Sequence, residues 1–147
     1  MAITQAVANS FKTQVLTATH NFTATTGNTF KIALFTNSAT LNKSTTVYDS
    51  TDNEVTGTGY TAGGNTLTSV TPALSTDTAV CDFSDSSWST ATITARGALI
   101  YNSSTTAGSA NRAVVVLDFG ADKTSTSGDF TVAFPTPDAS NAIIRIA

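Results

Sequence analysis

The feature that most constrains this chain is the rhythm of its second half, where short apolar-rich segments alternate with clusters of turn-forming residues. Residues 78–83, 90–102, 112–119, 129–134 and 142–146 each read as strands. Two of the separators, Ser103-Ser104-Thr105-Thr106-Ala107-Gly108 and Lys123-Thr124-Ser125-Thr126-Ser127-Gly128, are predicted turns. Within 90–102, Ile93, Ala95, Gly97, Leu99 and Tyr101 share one face, opposite Thr92, Thr94, Arg96, Ala98 and Ile100, and neither face is fully polar. Val114-Val115-Val116-Leu117 is apolar without alternation, the pattern of a strand covered on both faces. Core is expected on one side, and helix, loop or a partner subunit on the other.

The first half supplies a helix and one firm strand. Val7, Phe11, Val15, Ala18 and Phe22 recur at steps of three and four, which collects side chains on one helical face and predicts an amphipathic helix over about residues 5–19. Gly27 and Asn28 end that stretch, and Phe30, Ile32 and Leu34 give residues 28–36 an apolar strand face. Residues 37–64 read as a long, partly ordered surface excursion anchored by Leu41, Val47, Tyr48, Val55 and Tyr60. Gly63-Gly64-Asn65 marks a hairpin, residues 65–70 its returning strand, and Pro72 is expected to break the ladder. Six to eight strands with one N-terminal helix predict a mainly β chain, a β-sandwich forming a single domain over residues 1–147.

Charge narrows the function classes. Charged residues make up 12% of the chain, against a typical quarter, so Thr, Ser, Asn and Gly must build the polar surface. A net charge of −3, with the seven Lys and Arg scattered from Lys12 to Arg145, argues against a nucleic-acid partner. Cys81 is the sole cysteine, which excludes an intrachain disulfide and fits a reducing cytosol. Residues 1–3 carry no basic or apolar leader, and no apolar run approaches the ~20 residues of a membrane helix. A soluble, unprocessed chain without a membrane partner is expected.

Catalytic patterns are weak. His20 is the single histidine, near the end of the predicted helix, and no G-x-S-x-G elbow occurs. Cys81, within Ala79-Val80-Cys81-Asp82-Phe83, reads as a small core side chain. Asp49, Asp52 and Glu54 cluster in one loop and Asp77, Asp82 and Asp85 in another; solvated turn and capping roles are expected, with a structural cation as the alternative, and the first loop does not match an EF-hand. Gly57-Thr58-Gly59 and Gly63-Gly64 lack the Lys-Ser/Thr of a phosphate loop and read as turns. No catalytic, cofactor or metal residue is assigned, and the chain is read as not an enzyme. Trp88 reads as a core or interface anchor, or else as a sugar-stacking platform together with Tyr60 and Tyr101. The candidate interface residues are Val7, Phe11 and Val15 on the helix, with Trp88 and Tyr60.

Sparse charge lowers the cost of covering a surface with a partner, so self-association is the default expectation. The stretches Phe11-Lys12, His20-Asn21-Phe22, Asn28 to Leu34, Gly57 to Asn65, Ile93 to Asn102 and Asp118-Phe119-Gly120, with the ending Phe134-Pro135 and Ala142 to Ala147, resemble a family of small tailed-bacteriophage virion structural proteins. The likeness covers nearly the whole chain and carries no catalytic residue with it. It implies a component of a phage particle; within the particle the acidic charge, which disfavours contact with packaged DNA, and the small size favour a head decoration, or cement, protein on the outer capsid surface, bound to the major capsid protein and to its own copies, with a homotrimer expected at local threefold positions. The implied location is the virion, assembled in the bacterial host cytoplasm. A tail, neck or fibre component is the near alternative, and a carbohydrate-binding module is the alternative of a different class.

Overall fold

A computed structural model of the chain describes residues 2–105 and 110–147. The predicted mainly β sandwich is present: among the described residues, eight strands form two antiparallel sheets beside one short helix. The larger sheet has the order β1-β7-β6-β2-β3, built from β1 (Ala6–Val7), β7 (Arg112–Val132), β6 (Ser86–Asn102), β2 (Phe30–Phe35) and β3 (Asn65–Thr66). The smaller has the order β4-β5-β8, from β4 (Ser69–Ser75), β5 (Thr78–Phe83) and β8 (Ile144–Ile146).

Register sorts the central side chains into two faces. Phe30, Ile32 and Leu34 of β2 lie beside Asn102, Ile100 and Ala98 of β6; Lys31, Ala33 and Phe35 lie beside Tyr101, Leu99 and Gly97. The first face meets the smaller sheet through aromatic rings. Phe22 stacks on Phe30 with centroids 4.4 Å apart, and Phe83 of β5 lies 5.6 Å from Phe30. The second face is covered by residues 37–64: Tyr48 stacks on Tyr101 at 4.5 Å and meets Phe35 edge-on. The unbroken run Val114 to Leu117 is explained by these two covers, with loop rather than helix as the second.

The excursion is therefore strapped down along its length. Leu41 bridges Ile3, Val47 bridges Arg112, Glu54 bridges Phe35 and Thr58 bridges Thr92. Gly97 admits Ile3, the residue that Leu41 of the strap bridges, because a Cβ there would collide with the Leu117 carbonyl and the Ile3 side chain. Gly64, at φ +69°, similarly turns where a Cβ would strike the Ile32 carbonyl.

Four sequence expectations are corrected. The helix α1 covers Asn9–Leu16, eight residues rather than about residues 5–19. Ala6 and Val7 instead pair with Val116 and Val115 of β7, so the backbone before α1 is claimed by the sheet. At the other end, Ala18 takes φ 58°, Thr19 N–H donates to Gln14 O and Ala18 N–H to Val15 O, a Schellman stop that places Phe22 in a loop. Pro72 does not end its strand: β4 runs through it as an edge strand, at the register shift between Val70 and Ala73. Residues 65–70 divide between β3 and β4, in different sheets. Residues 123–128 are not a turn but part of β7, paired with β6 across register shifts. Side chains satisfy the backbone groups those shifts leave over, since Ser125 Oγ–H donates to Ala91 O and Ser127 N–H to Thr92 Oγ1. Of the predicted turn at 103–108, residues 106–108 lie outside the described residues.

Candidate functional site

The polar cluster with the most built-in geometry centres on Glu54. Its carboxylate is buried where the excursion returns to β2, and it is satisfied by three donors: Tyr48 Oη–H to Oε2 at 2.6 Å, Tyr60 Oη–H to Oε1 at 2.7 Å and Gly63 N–H to Oε1 at 2.7 Å. Tyr60 Oη also accepts from Leu34 N–H at 2.9 Å, and Tyr101 Oη–H donates to Gly63 O at 2.8 Å. Burial, then the neighbouring carboxylate, raises the Tyr48 and Tyr60 phenols well above their ordinary range, while Tyr101 is pushed up to about 12 by burial and then by Glu54. Phenols held protonated around a carboxylate are fixed donors, and the cluster pins the excursion to the sheet. Sequence reading placed Glu54 with the loop carboxylates; its position two residues past Asp52, beside apolar Val55, carried the signal of an inward turn.

His20 sits beyond α1, buried against the rings of Phe11, at 4.9 Å, and Phe30, at 6.3 Å. Nε2–H donates to Gln14 Oε1 at 2.8 Å, and Nδ1 accepts from Asn102 Nδ2 at 3.1 Å. Those partners fit the neutral ring, and burial, then the positive Arg112, lowers its pKa to about 4. The ring has neither a nucleophile nor a carboxylate among these contacts. Cys81 is buried in the core, and burial followed by the charge of Asp82 pushes its thiol up to about 12.

Asp49, Asp52 and Asp77 lie in turns, whereas Asp82 lies in β5 and not in the expected loop. Asp49 Oδ1 accepts from Thr51 N–H and Oγ1–H, which holds its carboxyl below the usual range. Both oxygens of Asp52 accept from Thr40 N–H, and Asp85 Oδ1 accepts from Phe134 N–H. Among the described residues, no three His, Cys, Asp or Glu side chains gather in a way that could hold a metal ion. Nor is any described helix long and apolar enough to cross a membrane.

The five candidate interface residues do not form one patch. Phe11 is 3% exposed and Trp88 4%, so both are spent inside the folded chain and present no contact surface. Trp88 lies edge-on to Phe130 and 5.9 Å from Tyr60, while the Tyr60 hydroxyl is engaged by Glu54. Tyr101 is also buried, so neither it nor Trp88 offers an open ring for a sugar. Val7 and Val15 are half-buried and line separate grooves: Val7 one of about 480 Å³ beside Leu117, Phe119 and Phe134, and Val15 one of about 160 Å³ beside Phe11, Cys81 and Ile144. The second groove was invisible to sequence reading, because its walls come from α1, β4, β5, β8 and the loop at Phe22, which only the fold brings together. Comparison of the chain with protein-family models, curated proteins and solved structures gave no match.

Proposed function

We propose that this chain is a structural protein of a tailed-bacteriophage particle, a decoration (cement) protein on the outer head surface that binds the major capsid protein and further copies of itself. The resemblance in sequence supplies the setting, and one structural observation supports the reading: the chain covers both faces of the centre of its large sheet, while the outer part of β6 and β7 turns outward hydroxyls paired across strands. Ser87 Oγ lies 2.7 Å from Thr131 Oγ1, and Thr94 Oγ1 lies 2.8 Å from Thr124 Oγ1, all on the exposed side of the β6–β7 ribbon. Hydroxyls fixed by their neighbours lose little freedom on being covered, and a sparsely charged surface is cheap to desolvate.

A cement protein that binds the matured lattice and not its loosened form stabilises the shell by mass action, by RT ln(1 + c/Kd) per site, where c is its free concentration. Local threefold positions would seat a homotrimer. Quantitative mass spectrometry of purified particles tests the assignment. Hundreds of copies per particle are expected of a decoration protein; tens or fewer would transfer it to the neck, tail or a fibre, and absence from particles would overturn the reading.

A further inference from the structure

Hydrogen-bond polarity around His20 admits the neutral ring and refuses the charged one. Two backbone donors fix the surrounding amides: Asn21 N–H donates to Asn28 Oδ1 at 2.7 Å, and Ser104 N–H donates to Asn102 Oδ1 at 3.0 Å. The Asn102 amide must therefore present its nitrogen both to Asn28 Oδ1, at 3.0 Å, and to His20 Nδ1, at 3.1 Å. A proton on Nδ1 would set donor against donor. Turning the Asn102 amide to accept it would strip Ser104 N–H of its acceptor and set oxygen against oxygen at Asn28. Charge opposes the proton as well, because Arg112 stands beside Asn102 in the β6–β7 register and repels it. Lys12 of α1 is exposed and donates to Asn9 Oδ1, and Lys31 of β2 lies on the other face of the large sheet beside Tyr101. On β5, Cys81 stays a neutral thiol and Asp82 takes the opposite face of its strand. Among the described residues, no carboxylate steadies an imidazolium here.

The element that His20 holds has little else to hold it. α1 is eight residues long, its N-cap Ala8 makes no side-chain bond, its first turn carries no acid, and Phe11 is its one buried residue. On either side the chain is fixed. Ala8 N–H donates to Val114 O and Asn9 N–H to Lys43 O before the helix; past His20, Asn21 is bonded to Asn28 and Phe22 stacks on Phe30. Residues 10–20 are thus a flap between two hinges, latched by Phe11 and His20, whose ring centroids lie 4.9 Å apart. We infer that protonation of His20 in acid opens this flap while both sheets stay folded, uncovering the Phe22 and Phe30 rings against which His20 packs. The ring's pKa is lowered to about 4, against 6.5 for a free histidine, so the open flap takes up the proton first. Acid therefore favours opening from pH 6.5 downward, and the preference saturates near pH 4. The inference concerns a single chain and does not rest on its proposed place in a particle.

Hydrogen exchange resolved by residue from pH 7 to pH 4.5, with intrinsic rates corrected for pH, tests it. A detached helix this short melts, so the amides of Thr17, Ala18 and Thr19, which bond to the last turn of α1, report the opening. Their protection is expected to fall on the order of fiftyfold across that range, with β2 and β6 unchanged. His20→Gln, whose amide can donate to Gln14 and accept from Asn102 but cannot titrate, should remove the pH dependence. Gln14→Glu sets a carboxylate against Nε2–H, steadies the charged ring in the closed flap and should move the fall to lower pH. Protection independent of pH in the wild type, an equal fall throughout both sheets, or a fall that neither variant alters would overturn the inference.

Discussion

The buried Glu54 carboxylate, held by three donors, fixes residues 37–64 to the large sheet. Removing its charge while keeping its shape tests this, because a Gln side chain must turn an N–H₂ toward one of three donors. Glu54→Gln is expected to lower the urea midpoint by the equivalent of about 1–3 kcal/mol, the cost of a buried donor left unmatched. It should also speed proteolytic cleavage within residues 37–64, which the carboxylate holds to the sheet. His20 gives a pH signature. Its pKa is about 4 in the folded chain against 6.5 for a free histidine, so the unfolded chain takes up the proton first. The stability it contributes is full above pH 6.5 and is lost as pH falls from there to about 4. The shift corresponds to on the order of 3 kcal/mol over that window. Denaturation from pH 7 to pH 4.5 should show this loss in the wild type and a much flatter profile in His20→Gln. Asp49, Asp118 and Asp138, whose pKa values are lowered by hydrogen bonds, act only at and below the carboxylate range, outside the histidine window.

At the scale of elements, α1 shows what periodicity does and does not decide. Of the side chains in the three-four spacing from Val7 to Phe22, Val7, Phe11, Val15 and Phe22 meet one core while Ala18 is exposed, and only the middle of that stretch is helical. Backbone pairing took Ala6 and Val7, and the Schellman stop took Ala18, neither of which leaves a mark in hydrophobic spacing. Because Ala18 adopts φ 58° where glycine is the usual occupant, Ala18→Gly is expected to raise stability by up to about 1 kcal/mol. Thermal melting would read it, and a decrease would mean that the cap is not formed as described. The β6–β7 ribbon makes the converse point. Residues 123–128 have the composition of a turn but lie in a strand, because Ser and Thr side chains bond the backbone at the register shifts. Strand existence was legible where apolar residues alternate, as in β2 and β5, and was lost where hydroxyls replaced them.

For the whole molecule, the sandwich could be read from the count of strands, whereas the layering could not. Nothing in the Thr, Ser and Asn content of residues 37–64 distinguishes a loose loop from a strap; Glu54, Tyr48 and Tyr60 make it a third layer only because β2 and β6 present Phe35 and Tyr101 to them. The same layering moves Phe11 and Trp88 from candidate contacts into the interior. On the proposed function, a subunit so layered would enter a shell as a rigid block, with its outward hydroxyls toward the lattice. The most direct test is a reconstruction of the intact particle at a resolution that traces strands. The account predicts density for the five-stranded and three-stranded sheets on the outside of the head, over junctions between capsid subunits. A fully traced particle with no such density on head, neck or tail would contradict it.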